Sequence, residues 1–238
     1  GHQATSDVDF VVSPPIVGPR GTVVGKVVTG DPCNRQPLGG ATVRLVHSAG
    51  FAVTDSQGRF ALEAPVGKVW LDFDRAGYLS IQRSVDDVVA GQESTFPDAV
   101  LVALDSRVNH ITAAAGGTAT DSTGKITLEL PPGALPQDAD IILNLITSRD
   151  ASEGPALRSF LPGIATRISP HGITLNTTAT LRIQNTSGIV NHAVGSKDWN
   201  RQTQLWERSG DAVMTGDGFF EAKISHFSGS TIDCRAPP

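Results

Sequence analysis

Two side chains near the end of this chain have the types and spacing that nucleophilic chemistry requires. His226 and Ser228 stand two residues apart in a stretch that alternates like a β-strand, so their side chains share one face. An imidazole can accept a proton as a general base, and a serine hydroxyl that gives one up becomes a nucleophile. Running the alternation back from this pair turns Glu221 and Lys223 outward and Phe220, Ala222 and Ile224 inward, on the face of His226 and Ser228. A buried polar group without a partner costs roughly 1–3 kcal/mol, so the two should bond each other or a third group. The same pattern also fits a purely structural His–Ser hydrogen bond on a closing strand. A bulge near Ser225 would instead reverse the register and send Phe227 into the core.

Other sets of chemistry-bearing residues lead nowhere. No histidine has the spacing of a zinc-peptidase motif, and neither a Gly-x-Ser-x-Gly elbow nor a glycine-rich phosphate loop is present. Ser122-Thr123-Gly124-Lys125 matches Ser-x-x-Lys in form only, because it falls in a hairpin turn. The acid pairs Asp72/Asp74, Asp86-Asp87 and Asp138/Asp140 lack the oxygen-rich loop that calcium favours, and read as solvated turn residues. No metal and no cofactor is therefore expected. Cys33 and Cys234 cannot hold a structural zinc alone. They read either as a disulfide tying an early loop to the C-terminal tail, or as two unpaired thiols. Trp70, Trp199 and Trp206 offer a stacking platform for carbohydrate, although Trp70 lies in a strand pattern and reads as core.

Strands must position these residues. The 238 residues are rich in Gly, Pro, Thr, Ser and Val and sparse in aromatic and charged types, which suits short strands joined by many turns. A net charge of −5 offers no basic face for nucleic acid or anionic lipid. No apolar run approaches the roughly 18 residues of a membrane helix, so direct insertion is not expected. Two hairpin signatures punctuate the chain, Ala52–Leu62 and Gly116–Leu135, each an Asp/Ser/Gly cluster between β-formers. The sequence thus predicts an all-β protein of two tandem β-sandwiches over 21–104 and 105–238, preceded by an extended arm over 1–20. Within the arm, Asp7–Val12 has strand character until Ser13-Pro14-Pro15 ends it, since proline removes a ladder donor. Val69, Leu71 and Phe73 fall on one face of a half-buried strand.

The strings Gly25-Lys26-Val27-Val28, Pro37–Leu45, Thr54–Phe60 and Ala76-Gly77-Tyr78 resemble the carboxypeptidase regulatory-like domain. That resemblance implies a transthyretin-like sandwich, a non-catalytic accessory module common in secreted and cell-envelope proteins of bacteria. Further on, Gly116–Leu135, Ser169–Leu175, Ala179–Ile183 and Ser225-His226-Phe227-Ser228 resemble a ZU5-type domain, also a β-sandwich. In such domains, and in some unrelated self-cleaving ones, a His-Phe-Ser triplet on a late strand is where the backbone cuts itself. The resemblance thus makes Phe227–Ser228 the scissile bond, with Ser228 as nucleophile and His226 as base. Strain at that bond would help the attack.

Two functions follow as expectations. The first is a non-enzymatic scaffold or adhesion protein, secreted or of the bacterial cell envelope, with protein partners or with copies of itself assembled through the Asp7–Val12 strand. The alternative is a self-processing module that cuts once between Phe227 and Ser228. Neither acts on an external substrate, and carbohydrate is a lesser option as ligand.

Overall fold

The computed structural model describes residues 18–31, 33–146, 154, 160–186, 194–227 and 229–234. The N-terminal arm up to residue 17 and Ser228 lie outside them. The described residues form strands, turns and bends with no helix among them, so the protein is all-β as the composition predicts.

The first sandwich holds nine short strands: β1 (Arg20–Thr29), β2 (Gln36–Pro37), β3 (Thr42–Leu45), β4 (Phe51–Val53), β5 (Arg59–Pro65), β6 (Gly67–Asp74), β7 (Ile81–Val88), β8 (Glu93–Thr95) and β9 (Ala99–Val100). One sheet is built on β1, which pairs antiparallel with β2 and β5 and parallel with β8 and β9. The other runs β4-β3-β6-β7. Val69, Leu71 and Phe73 of β6 are buried as their alternation predicts, and face Phe60 and Leu62 of β5 and Phe96 across the core. The rings of Phe60, Phe73 and Phe96 contact one another, with centroids 5.2–6.4 Å apart.

The turn after β4 corrects the sequence reading. Its local chemistry is that of a tight turn: Asp55 Oδ1 accepts the N–H groups of Gln57 and Arg59, each at 2.8 Å. Gly58 adopts φ 71°, and a Cβ there would lie 2.3 Å from the Val27 carbonyl oxygen. Yet β4 pairs with β3 while β5 pairs with β1. The turn therefore carries the chain from one sheet to the other and makes no hairpin.

The second sandwich is one ten-stranded sheet folded over on itself. Its strands are β10 (Asn109–Ile111), β11 (Gly117–Thr120), β12 (Ile126–Leu130), β13 (Ala139–Ile146), β14 (Phe160–Ser169), β15 (Thr174–Gln184), β16 (Val194–Asn200), β17 (Leu205–Met214), β18 (Phe219–His226) and β19 (Gly229–Cys234). They order as β10-β13-β14-β19-β16-β17-β18-β15-β12-β11. Here the second turn signature is a true hairpin, with Gly117 opposite Leu130 and Thr120 opposite Thr127. Asp121 organises its turn from a buried position, accepting the Ile126 N–H at 2.9 Å and the Thr123 hydroxyl. The two ends of the sheet meet where Asn109 replaces a peptide unit: its Nδ2 donates to Thr120 O at 2.9 Å and its Oδ1 accepts Thr120 N–H at 3.2 Å.

The sandwiches pack against each other. Val28, Leu79 and Val100 of the first form one apolar cluster with Ile146 and Ala165 of the second. Around it, Asn144 Nδ2 donates to Ala103 O at 2.9 Å, and Gly154 N–H donates to Gln82 O at 3.0 Å. Trp70 of β6 meets Trp199 of β16 at 5.4 Å between ring centroids.

Candidate functional site

Strand order puts a sharp corner where the sequence placed its chemistry. β18 lies between β17 and β15, whereas β19 lies between β14 and β16. The chain leaves one position in the folded sheet at His226 and enters the other at Gly229. Phe227 anchors this corner in the core with 0 % exposure. Its N–H donates to Ile173 O at 2.8 Å, and its carbonyl oxygen accepts the Gly172 N–H at 2.9 Å.

The alternation predicted for β18 holds from Phe220 to Ile224. The ladder does break at Ser225, between Ile224 and His226, but the extra residues lie in the partner strand, between Thr174 and Ala179 of β15. Phe227 reaches the core because the strand ends at His226 and the chain turns inward. His226 itself is half-exposed and opens on a cleft of about 370 Å³. The cleft is lined in part by His171, Asp198, Asn200, Arg201, Glu207 and His226.

The partner of His226 is Asp198, which the sequence reading did not single out. Asp198 Oδ2 lies 3.3 Å from His226 Nε2, and the carboxylate is buried, its side chain only 3 % exposed. A buried carboxylate fixes the orientation of an imidazole and stabilises the imidazolium that forms when the ring takes a proton. The Gly172 N–H on the Phe227 carbonyl oxygen is a preorganised donor where negative charge would develop under attack at that carbonyl. Asp198 escaped notice because β16 is covered on both faces at this point: Asp198 and Trp199 are both buried, so no polar–apolar alternation marks the strand. Gly172 contributes a backbone N–H, for which no side chain gives a signal.

Ser228 lies outside the described residues. Cys33 sits exposed in the turn after β1 with a free thiol, so the bridge to Cys234 is not formed. The turn presents that thiol to solvent, while the backbone of Cys234 pairs with Val194 inside the second sheet. The three tryptophans do come together, but not as a platform. Trp199 is 1 % exposed and is packed between Trp70 and Trp206, at 5.4 and 5.5 Å. The acid pairs have local roles: Asp138 Oδ1 accepts the Ala113 N–H, Asp140 faces His110, Asp86 faces Lys68, and Asp72 accepts from Gln82.

Two carboxylates elsewhere are held below the usual range. Burial pushes the Asp105 carboxyl up, but the Ser122 hydroxyl and the N–H groups of Arg107 and Ser122 outweigh it. Asp217 is lowered by the Thr215 hydroxyl and then by Arg182.

Residues 22–102 match the carboxypeptidase regulatory-like domain, and the first sandwich is a domain of that family. Among solved structures, the chain is similar to a type II cohesin–X-dockerin complex from Acetivibrio cellulolyticus, at 26 % identity and a TM-score of 0.28, covering 36 % of this chain and 59 % of that one. It is also similar to GBS52, the minor pilin of Streptococcus agalactiae, at 18 % identity and a TM-score of 0.30, covering 37 % and 47 %. The Bacillus anthracis TIE protein aligns at 10 % identity and a TM-score of 0.31, covering 92 % and 46 %. In each case the alignment spans less than two thirds of the other chain. No curated protein matches this chain.

Proposed function

We propose that this chain is a structural or interaction protein, secreted or of the cell envelope, and that its second sandwich cuts its own backbone once, between Phe227 and Ser228. The structural role is supported by the first domain's family, a non-catalytic accessory class, docked on a second all-β sandwich whose motifs resemble a ZU5-type domain. Among the described residues no helix is long and apolar enough to cross a membrane. Assembly through Asp7–Val12 belongs to this reading, and β4 offers a place for it. That strand closes one edge of its sheet and exposes Phe51 and Val53 at 63 % and 55 %. Deleting residues 1–15 should convert an assembled species to a monomer in size-exclusion chromatography with light scattering. An unchanged elution would remove self-assembly from the account.

The self-processing role rests on one observation, the buried Asp198 behind His226 beside a carbonyl that already accepts the Gly172 N–H. The Ser228 hydroxyl attacks the Phe227 carbonyl carbon and its proton passes to His226. The C–N bond breaks as that proton moves to the Ser228 nitrogen, leaving an ester between Phe227 and the Ser228 oxygen. Water then opens the ester to a Phe227 carboxylate and a free α-amine on Ser228. The piece cut off would begin at Ser228. β19 lies within that piece and is paired on both sides, so cutting would not mean release. Ser228→Ala should abolish the cut outright. Replacing the base by His226→Gln should slow it by about 10²–10⁴-fold. A cut that persists in Ser228→Ala would remove this mechanism.

A further inference from the structure

We infer that the first sandwich positions the self-processing site, acting through Trp70 and Ser80. The inference rests on the self-processing reading above. Asp198 and Trp199 are consecutive on β16, so their side chains leave opposite faces of the strand. Asp198 faces His226, while Trp199 packs on Trp70 of the first sandwich. The fit around Trp199 is close: a Cβ on Gly154 would come within 2.5 Å of its ring. Any movement of Trp199 relative to Trp70 therefore tilts the strand that carries the carboxylate.

Ser80 fixes the same region a second time. Arg201, three residues beyond Asp198, donates through Nη2 to both Ser80 O and Ser80 Oγ at 2.9 Å. Arg167 of β14, buried at 4 % exposure, donates to the same carbonyl at 3.0 Å. Arg167 stands in register with Gly229 of β19, the residue that follows Ser228. One serine of the first sandwich thus holds the strand bearing the partner of the base and also the strand beside the one that begins after the nucleophile. A displacement of about 1 Å can cost a reaction of this kind on the order of 10²-fold. Trp70 and Ser80 are positioning residues. They tie the cut to correct docking of the two sandwiches, so the chain is processed only once both have folded and met.

The test uses the full chain and follows the fraction cut against time by intact mass under denaturing conditions. Native folding is checked in parallel by circular dichroism. Trp70→Ala should slow the cut at least tenfold, while Trp70→Phe, which keeps a ring against Trp199, should restore it to within about threefold. Arg201→Ala, which removes both bonds to Ser80, should also slow the cut, and decides the matter if Trp70→Ala does not fold. Folded variants that cut at the wild-type rate would overturn the positioning role and leave the self-processing reading standing. A wild-type chain that never cuts would overturn both.

Discussion

Asp198 is the residue on which the site turns. Its worth lies in charge and position together, so Asp198→Asn, which keeps the shape, should slow the cut by about 10²-fold or more in the same mass assay. A rate unchanged by that substitution would mean that the carboxylate only packs. A second residue tests the scaffold and leaves the site alone. Thr54 is buried, with Oγ1 donating to Leu38 O at 2.7 Å and accepting Ala41 N–H at 2.9 Å. Thr54→Val strands both backbone groups and should cost about 2 kcal/mol in urea unfolding. At this scale the sequence is half legible. His226 announces itself by type and by its place two residues from a serine. Asp198 does not, because its strand is buried on both faces and shows no polar–apolar alternation there.

Turns are legible in the sequence where local chemistry decides them. The Asp55–Gly58 and Asp121–Gly124 turns form where their residues require, because a carboxylate capping nearby N–H groups and a glycine at positive φ are local causes. Gly58→Ala should destabilise the first sandwich by at least about 1 kcal/mol, both from its φ and from the contact with Val27 O. Local chemistry could not say whether the flanking strands pair or part. The same turn serves a hairpin and a crossing between sheets, and only the placing of Phe60, Leu62 and Ala64 across the core chooses the crossing. The segment joining the sandwiches carries its own prediction. The Asp105 carboxylate accepts from the Ser122 N–H and hydroxyl and from the Arg107 N–H, pinning that segment to the second hairpin turn. Its folded pKa is depressed, so the stability it contributes is present above the unfolded value of about 3.9 and is lost as pH falls through the lower folded value. Asp105→Asn should therefore be less stable than wild type at pH 7. The gap between them in thermal unfolding should close as pH drops below that range. A gap independent of pH would show that the carboxylate's charge plays no part.

The whole molecule behaves as one body in this account because the sandwiches share apolar surface and polar clamps. The run Ile141-Ile142-Leu143-Asn144-Leu145-Ile146 of β13 is covered on both faces, which the sequence reading did not anticipate. Ile141 and Leu143 fill the second core, while Asn144 and Ile146 meet the first sandwich. What the sequence hides is the partner of that outer face, since Leu79 and Val100 lie far off along the chain. Thermal unfolding of the wild type should be a single transition, and Ile146→Asp should split it in two. Two transitions in the wild type would mean that the sandwiches are merely strung together.

The most direct measurement is the intact mass of wild type and Ser228→Ala, purified alike and unfolded before analysis. Two species divided between Phe227 and Ser228 in wild type, and one full-length chain in Ser228→Ala, are the predicted result. A single full-length mass in the wild type would contradict self-processing, leaving His226 and Asp198 as a structural ion pair at the corner of a binding scaffold.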